Sequence, residues 1–325
     1  MITSDQRTNL IDLAFDWYRL NGFPYLSMRD FDLWQEFYKL CSCSLKEKDK
    51  YLEISTIGIS IINYFHKHIF NSHAFGMKAP INSYFDDKLL RKSIELALDT
   101  TKKITNTSVL NKLKIVSGTQ MCSNFRPTIA KFIYDKYGGD GFKILDPCTG
   151  YGGRLLGFMA SKHILDEYVG VDPVTVTCNK NLQMSRFFQY QDKVMLFNRP
   201  FEDISLDCNY FNLAFTSPPY FKKEIYSNDE TQSCNRYPDY HNWLMGFWHK
   251  TIDKVFHYLK PNGVFVINIQ DISISNKNYP LIDDTLNYAC KRKFMKEDEL
   301  YMKFSGFGSN LKKFKVEHIF ILRKQ

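Results

Sequence analysis

Two short stretches of the sequence contain residues whose types and spacing suit them to chemistry. The first, FNLAFTSPPY at residues 211–220, is an apolar run that ends in Ser217, Pro218, Pro219 and Tyr220. Prolines cannot donate to a sheet and they restrict the residue before them, so the chain leaves the strand in a rigid, extended turn. The turn holds a hydroxyl and an aromatic ring at the carboxyl end of a strand, where open α/β sheets bind ligands.

The second stretch, KILDPCTGYGGRLLGF, runs from an apolar strand into a helix, with Gly150, Gly152 and Gly153 at the turn. Glycines there let a ligand approach the backbone closely. The next strand ends at Asp172, whose carboxylate suits both hydroxyls of a ribose, although an aspartate before a proline also suits a helix cap. Neither G-x-G-x-x-G nor the P-loop pattern is present, which indicates a nucleoside cofactor without a pyrophosphate.

The elements that must position these residues form a regular alternation after about residue 142. Strands are predicted at FKILDP, EYVGVDP, KVMLFN, FNLAFTSPP and GVFVINIQ, and helices near 153–163, 175–189, 240–259 and 280–291, with KPNG closing the third helix. Such alternation predicts an α/β fold with a mostly parallel sheet. ELYMKF and KVEHIFILRKQ, joined through SGFGSN, predict a terminal antiparallel hairpin.

Composition and charge narrow the class of protein. The chain has 325 residues, enough for a full-sized domain and a smaller appendage, and its net charge of +8 favours an anionic partner. Its eight cysteines include no Cys-x-x-Cys pair, which predicts reduced thiols and no zinc site. The amino terminus has acidic residues and no long apolar run, so we expect neither a signal peptide nor a membrane span, and a cytoplasmic location.

The order of these motifs resembles that of the amino-methyltransferases that use S-adenosylmethionine to methylate exocyclic amines of DNA bases. The resemblance covers roughly residues 118–325 and implies a Rossmann-like methyltransferase fold. TSPPY resembles the catalytic motif of the family, which implies catalytic roles for Ser217, Pro218, Pro219 and Tyr220. Cofactor contacts are implied by four further stretches, DPCTGYGG, GVDP, FED and SNFRP, at Asp146, Pro147, Cys148, Gly150, Gly152, Gly153, Asp172, Glu202, Asp203, Asn124, Phe125, Arg126 and Pro127.

The chemistry of the residues agrees with this resemblance. An exocyclic amine is a poor nucleophile because its lone pair is delocalised into the ring, so the site needs acceptors aimed at both N–H bonds. Ser217 Oγ and the Pro218 carbonyl are suitable acceptors in a rigid turn. Tyr220 is suited to stack on a base that has been flipped out of the duplex. The sulfonium carries its own leaving group, so catalysis depends mainly on in-line positioning.

Two features differ from the usual family pattern. Cys148 stands where the cofactor loop commonly has Phe, and Ser217 stands where the catalytic motif commonly has Asp or Asn. In the family, Ser at this position is more often found in enzymes that methylate N4 of cytosine, so cytosine N4 is the favoured target and adenine N6 is the alternative. An enzyme acting on RNA or a small-molecule amine, and a non-catalytic nucleic-acid-binding module, are further alternatives. If the protein is a DNA base amino-methyltransferase, we expect duplex DNA as its partner, no metal, and a restriction-modification or phage context in a bacterial cell.

The remaining expectations concern the organisation of the chain. We expect a mainly helical region at residues 1–115, which has no obvious basic stripe and is assigned a DNA-recognition role, and a methyltransferase domain at 116–325. Residues 221–240 show neither helical nor strand periodicity, so we expect a long loop. In or beside that loop, Lys222, Lys223 and Arg236 are candidates for DNA phosphate contacts. Trp243 and Trp248 are predicted to be helix core.

Overall fold

The computed structural model describes residues 3–227, 229–304 and 315–325. The SGFGSN connection lies outside the described residues. In chain order, the helices are α1 (Ser4–Asn21), α2 (Asp30–Ser42), α3 (Ile59–Phe65), α4 (Pro80–Phe85), α5 (Asp87–Thr101), α6 (Asn106–Leu113), α7 (Pro127–Tyr137), α8 (Gly153–Met159), α9 (Thr175–Phe187), α10 (Ser233–Arg236), α11 (Tyr240–Trp243), α12 (Lys250–Tyr258) and α13 (Leu281–Lys291).

The strands are β1 (Glu47–Lys48), β2 (Tyr51–Glu53), β3 (His73–Ala74), β4 (Lys143–Asp146), β5 (Glu167–Val171), β6 (Val194–Phe197), β7 (Phe211–Thr216), β8 (Glu224–Ile225), β9 (Leu259–Ile269), β10 (Ile272–Ile274), β11 (Lys277–Tyr279), β12 (Phe294–Phe304) and β13 (Lys315–Lys324). Short 3-10 turns occupy Lys67–Asn71, Gln191–Lys193 and Phe201–Asp203, and a π-helical turn spans Leu244–His249.

The chain forms two compact units. One consists of Met1–Arg29, His66–Ser123 and Lys223–Ser227, and the other of Asp30–Phe65, Asn124–Lys222 and Asn228–Gln325. These units do not follow a single boundary near residue 115, because α2, β1, β2 and α3 belong to the second unit. The reason is long-range pairing: β2 adds to the sheet in parallel beside β12, through Tyr51 opposite Tyr301.

The first unit has a helical core of its own. Ile11, Phe15 and Tyr18 of α1 pack with apolar residues of α5 and α6, including Ile94 and Leu113. The apolar positions of α1 recur three and four residues apart, as expected for one buried face of a helix. A two-stranded antiparallel pairing of β3 with β8 completes this unit.

The second unit is built on a mixed sheet with the order β1-β2-β12-β13-β9-β7-β4-β5-β6. β9, β7, β4, β5 and β6 pair in parallel, and β13 pairs antiparallel with both β9 and β12. The predicted parallel sheet and terminal hairpin are therefore confirmed, and the fold is Rossmann-like α/β. The buried side chains of β7 follow one another without alternation, as expected for a central parallel strand covered on both faces.

Two local predictions were wrong, and a third was confirmed with a local irregularity. KPNG does not close a helix, because α12 ends at Tyr258 and residues 259–269 form β9, with Asn262 at φ 61°. The predicted helix at 240–259 is present but contains the π-helical turn at Leu244–His249. Residues 221–240 are not a structureless loop, since they include β8, α10 and the start of α11. Trp243 and Trp248 are fully buried, which confirms their assignment to the core.

The strand order places the two chemical motifs at neighbouring strand ends. From β4 the chain adds β5 and β6 on one side and then returns to place β7 on the other side of β4. Strand order therefore reverses at β4, and the crevice outside the carboxyl ends of β4 and β7 is a topological switch point. The glycine turn follows β4 and Ser-Pro-Pro-Tyr follows β7.

Candidate active site

The hydroxyl of Ser217 is held by an amide that lies 51 residues further along the chain. Ser217 Oγ donates to Asn268 Oδ1 at 3.0 Å, and the Tyr220 hydroxyl lies 3.2 Å from the same oxygen and from the Asn268 carbonyl oxygen. Asn268 Nδ2 in turn donates to the His318 carbonyl at 2.9 Å, which fixes the orientation of the amide. The Ser217 proton is thereby directed toward Asn268, so the free lone pairs of Oγ are available to accept a hydrogen bond.

Asn268 is a candidate site residue that the sequence did not reveal. It is 2% exposed and lies near the end of β9, in the apolar run VFVINIQ. A polar side chain in an otherwise apolar buried strand needs a partner, and that was the available signal. Its partners after β7 and on β13 become evident only from the sheet order.

The Tyr220 ring is too enclosed to stack on a base without rearrangement. Its side chain is 5% exposed and packs in the core of the second unit, together with Phe221 and Trp243. Phe221 adopts φ 48°, in the left-handed region, where the chain turns away from the motif. In this conformation the Tyr220 ring has almost no open face, so stacking on a base requires neighbouring side chains to move.

The three glycines of the turn after β4 serve different purposes. A Cβ on Gly152, which has φ 77°, would lie 2.2 Å from Asn181 Oδ1, and one on Gly153 would lie 2.1 Å from the Phe125 carbonyl oxygen. These two glycines are required by packing against protein atoms. Gly150 has φ 55°, and the nearest neighbour of a Cβ there would be the Cys148 carbonyl oxygen at 3.9 Å, which is ordinary contact, so Gly150 is required by its left-handed backbone and not by close packing.

Asp146 is part of a buried ion pair. Its carboxylate accepts from Arg154 Nε at 2.8 Å, Arg154 Nη2 at 3.0 Å, the Tyr168 hydroxyl at 2.6 Å and the Cys148 amide at 3.2 Å. The exposed fractions of the Asp146 and Arg154 side chains are 0% and 4%. Asp146 ends β4 but lies in the core, because these partners surround its carboxylate and leave it no exposed surface.

Cys148 and Pro147 follow Asp146 into the turn. Cys148 is half-buried, and burial together with the Asp146 charge raises the pKa of its thiol, which therefore stays neutral. The Cys148 carbonyl also accepts a hydrogen bond from Arg154. The turn is thus anchored to the buried ion pair, and all eight cysteines of the chain are free thiols.

Asp172 connects the end of β5 to the glycine turn. Its Oδ2 accepts from the Gly150 amide at 3.0 Å and its Oδ1 accepts from the Val174 amide at 2.9 Å. The second bond is a turn contact to the residue two positions on and not the helix cap that the sequence left as an alternative, because Val174 is the N-cap of α9 and has no side-chain cap. Burial raises the pKa of Asp172 to about 6, while the two amide donors oppose that rise.

The segment before α7 holds two buried polar atoms that lack partners among the described residues, Asn124 Oδ1 and Arg126 Nε. Asn124 Nδ2 donates to Asn63 Oδ1 at 3.3 Å, so one end of the amide is fixed and the other is open. Burial lowers the pKa of Arg126, and the charge of Glu317 opposes that effect. Phe125 packs edge-on against Phe215, and Pro127 begins α7 at a position where its missing N–H costs nothing.

The acidic pair after β6 is bound by Arg236. Arg236 Nη1 lies 2.6 Å from Asp203 Oδ2 and 3.1 Å from Glu202 Oε1, and its Nη2 lies 3.1 Å from Asp203 Oδ1. Burial raises the pKa of Glu202, which is 8% exposed. Arg236 therefore engages two carboxylates, which would compete with any phosphate for its guanidinium.

The other two candidates for phosphate contacts differ in exposure. Lys223 is 8% exposed, with its Nζ 5.5 Å from the centre of the Phe75 ring, so its charge is largely withdrawn from solvent. Lys222 is exposed and lies 5.5 Å from the Phe221 ring centre. Among the three, Lys222 alone combines exposure with no acidic partner in the part of the chain that the structure describes.

The described residues contain no group of three or more His, Cys, Asp or Glu side chains arranged to hold a metal ion. None of the helices in the described ranges combines the length and apolar character needed to cross a bilayer.

Comparison with known proteins adds the following. Residues 211–325 match a family model of the N6/N4 type described as DNA methylase. No curated protein matches the chain. Similar solved structures include an S-adenosylmethionine-dependent O-methyltransferase from Thermotoga maritima, at 12% identity and a TM-score of 0.42, where the match covers 62% of this chain and 67% of that one.

Two further solved structures are similar at 12% identity and a TM-score of 0.44. For TrmN from Thermus thermophilus the match covers 61% of this chain and 49% of that one. For a geranyl diphosphate C-methyltransferase from Streptomyces coelicolor A3(2) it covers 70% and 86%. Through residues 211–325, which include the Ser-Pro-Pro-Tyr turn and Asn268, this chain is similar to the N6/N4 DNA methylase family.

Proposed function

We propose that this protein transfers a methyl group from S-adenosylmethionine to the exocyclic amine of a base in DNA. The observation that carries the proposal is the hydroxyl of Ser217 at the end of β7, whose proton is directed to Asn268 Oδ1 at 3.0 Å. That arrangement makes Ser217 Oγ an acceptor aimed outward from a rigid Pro-Pro turn. An amine N–H is the group such an acceptor suits.

The residues at the neighbouring strand ends fit the proposed cofactor. Arg126 Nε and Asn124 Oδ1 are buried polar atoms without partners in the described ranges, and they suit the carboxylate and the ammonium of an amino acid. Asp172 suits ribose hydroxyls, and Gly150 leaves room beside the backbone. When bound, S-adenosylmethionine supplies an electrophilic methyl group on a positively charged sulfur. The roles of Glu202 and Asp203 toward the adenine ring remain part of this proposal.

The chain's own part in the reaction is positioning. Ser217 Oγ and the Pro218 carbonyl accept the two N–H bonds of the amine and draw its lone pair out of conjugation with the ring. Because Asn268 and the prolines hold these acceptors before the amine arrives, little reorganisation is needed during reaction. Pro219 and Tyr220 complete the turn, and a shift of the side chains around Tyr220 opens its ring to a flipped base.

The target base is proposed to be cytosine at N4, since Ser leads the catalytic motif; adenine N6 is the alternative. Expression in a methylation-deficient bacterial host, followed by sequencing that distinguishes N4-methylcytosine from N6-methyladenine, would identify base and motif together. Labelled cofactor offered with duplex DNA, single-stranded DNA and total RNA tests the substrate class. Label found only in RNA would contradict the proposal, and absence of transfer to any of them would favour a non-catalytic module.

Base recognition by the amino-terminal region also stays a proposal, as does a role in restriction-modification. Deleting residues 1–115 is not a clean test of recognition. That deletion removes α2, α3 and β2, and with them Leu33, Leu52 and Ile61, which are fully buried residues of the second unit. Loss of activity in such a deletion would report unfolding, so surface substitutions are needed instead.

Replacing Asn268 by Leu is expected to lower turnover about tenfold, the equivalent of one net hydrogen bond, with unchanged cofactor affinity. Without the amide oxygen, the Ser217 proton is free to point at the incoming amine, whereas the Tyr220 hydroxyl keeps the backbone carbonyl of residue 268 as an acceptor. Asn268→Asp keeps the acceptor and should recover part of the rate. Asn212→Leu is the control, because Asn212 Oδ1 accepts from the Lys143 amide and lies on β7 away from the motif. Equal rates in wild type and Asn268→Leu would contradict the assignment.

Cofactor affinity is expected to fall as pH decreases through about 6, by up to tenfold per pH unit, because protonated Asp172 loses an acceptor for the ribose. The raised pKa also means that the ionised form of Asp172 destabilises the cofactor-free fold. The protonated form of Asp172 contributes to the free energy of unfolding below its ordinary pKa of 3.8, and that contribution is lost as pH rises through about 6. Calorimetric titration between about pH 5 and 8 tests the first effect. The Asp172→Asn variant should bind weakly with a flat profile; a flat wild-type profile would count against this role.

A further inference from the structure

The first unit has a surface of lysines whose charges are not neutralised by its acids. No Asp or Glu occurs between Asp99 and Asp135, while Lys102, Lys103, Lys112 and Lys114 lie in that interval. The sequence does not show these lysines as a basic stripe, because they do not recur at the spacing of one helix face. The fold gathers them at the end of α5 and along α6.

The acids of residues 66–123 are already paired with other cations. Asp86 lies 3.2 Å from Lys78, Glu95 lies 3.2 Å from Lys92 and Asp99 lies 2.9 Å from Arg7, while Asp87 pairs with Arg19. The hydrogen bond from Arg7 lowers the pKa of Asp99, and the charge of Lys102 adds a smaller effect, while Lys102 Nζ itself donates to the Asp99 backbone carbonyl at 2.9 Å. These carboxylates therefore do not cancel the lysines of α6.

Two further observations fix lysines beside aromatic rings of the same unit. Lys114 Nζ lies 5.6 Å from the centre of the Phe70 ring and Lys67 Nζ lies 5.3 Å from that of Tyr25. The two rings are 5.9 Å apart, and Asn106 at the start of α6 donates to the Tyr25 carbonyl. Burial lowers the pKa of Lys114, so its charge is partly desolvated.

The ends of α6 separate the lysines into two groups. Lys102 caps α5 in the left-handed conformation, and the Lys103 carbonyl accepts from Ser108 Oγ in the first turn of α6. Lys112 and Lys114 lie at the other end of the helix. An eight-residue helix is about 12 Å long, which is similar to the width of the major groove of DNA at about 12 Å. The two groups therefore lie at opposite ends of a helix whose length is similar to that groove width.

We propose that Lys67, Lys102, Lys103, Lys112 and Lys114, here called the α6 lysine surface, bind the phosphate backbone of duplex DNA. The proposal rests on the proposed function, which makes DNA the substrate. An anionic membrane fits less well, because a membrane-bound amphipathic helix exposes an apolar face. In α6 the apolar residues Val109, Leu110 and Leu113 are buried in the protein, at 0%, 3% and 0% exposure.

The basic carboxyl-terminal region is a useful contrast. Arg323 pairs with Glu297 at 2.6 Å, Arg292 pairs with Asp253 at 2.8 Å and Lys324 is 8% exposed. Many of its positive charges are therefore used within the fold. High lysine content alone does not make a nucleic-acid surface, and the uncompensated charges of α6 distinguish it.

The test compares two triple variants of the full-length protein with the same change in net charge. Lys102→Gln, Lys103→Gln and Lys112→Gln remove uncompensated charges, whereas Arg7→Gln, Lys78→Gln and Lys92→Gln remove charges that are already paired. Binding of fluorescent duplex DNA is followed by anisotropy between about 50 and 200 mM salt. The measured quantity is the slope of log affinity against log salt concentration. In the first variant this slope should be smaller by about two to three, at about 0.9 per phosphate contact, and the second variant should keep the wild-type slope.

Further readouts separate the possible outcomes. Both variants should retain the wild-type circular dichroism spectrum and cofactor affinity, and the first should raise KM for DNA with little change in kcat. The proposal would be overturned by any of three results. These are an unchanged salt slope in the first variant, an equal decrease of the salt slope in both variants, and binding to phosphatidylserine vesicles in place of DNA. If the wild type binds DNA with the expected slope but does not methylate it, the proposed activity fails and the α6 lysine surface stands.

Discussion

Alanine at Ser217 is expected to reduce turnover by about 10²–10³-fold while leaving affinity for S-adenosylmethionine unchanged. The reason is that Ser217 Oγ faces the proposed amine and is bonded within the protein to Asn268 at 3.0 Å and, more weakly, to the Tyr220 hydroxyl at 3.4 Å. Removing a preorganised acceptor costs stabilisation that develops only as the amine becomes tetrahedral. Single-turnover kinetics with duplex DNA and calorimetric titration of the cofactor measure the two quantities separately.

The control is Ser205→Ala, which removes an exposed hydroxyl elsewhere in the same unit. Ser205→Ala should match the wild type in both measurements. An unchanged turnover in Ser217→Ala would remove Ser217 from the mechanism. A loss of cofactor affinity comparable with the loss of rate would instead place Ser217 against the cofactor, and the assignment of the amine to this hydroxyl would be wrong.

Alanine at Asp146 is expected to destabilise the cofactor-free protein by about 3–5 kcal/mol, because it leaves the Arg154 charge buried without a counterion. Arg154 is 4% exposed on its side chain and Tyr168, which donates to Asp146 at 2.6 Å, is fully buried. Chemical denaturation without cofactor measures the effect. Asp146→Asn, which keeps an acceptor but no charge, should lie between wild type and Asp146→Ala.

Glu297→Ala provides the matched comparison for that experiment. Glu297 forms an ion pair with Arg323 in the same unit, but the two side chains are 37% and 32% exposed, so its loss should cost less than about 1 kcal/mol. If Asp146→Ala unfolds at the wild-type denaturant concentration and only cofactor binding falls, Asp146 contacts the cofactor directly. In that case the buried pair would not be needed for the fold.

The division into two units changes how the function should be dissected. The amino-terminal 115 residues were expected to act as one region, yet Asp30–Phe65 is part of the unit that contains the Ser217 turn. The α6 lysine surface belongs to the other unit and can be altered without touching Ser217, Asn268 or Asp172. Binding and turnover can therefore be tested by separate substitutions.

Much of the fold was predictable because its signals are local. Each of the five predicted parallel strands begins or ends within a few residues of its observed bounds, since apolar runs interrupted by glycine and proline define strands without reference to the rest of the chain. Ser217 was placed at a strand end for the same reason: the two prolines that follow it cannot continue a sheet. The glycine turn after β4 was found by the same kind of local pattern.

Only the tertiary structure decided which groups these residues contact. Asn268 is the partner of Ser217 because β9 pairs beside β7. Arg236 forms an ion pair with Asp203, and Asp146 forms an ion pair with Arg154 inside the core. The charges of the α6 lysine surface are not neutralised because Asp86, Asp87, Glu95 and Asp99 form ion pairs with other cations. Periodicity and turn residues specify elements one at a time. Hydrogen-bond satisfaction and ion pairing depend instead on which elements become neighbours, and that is settled only when the whole chain has folded.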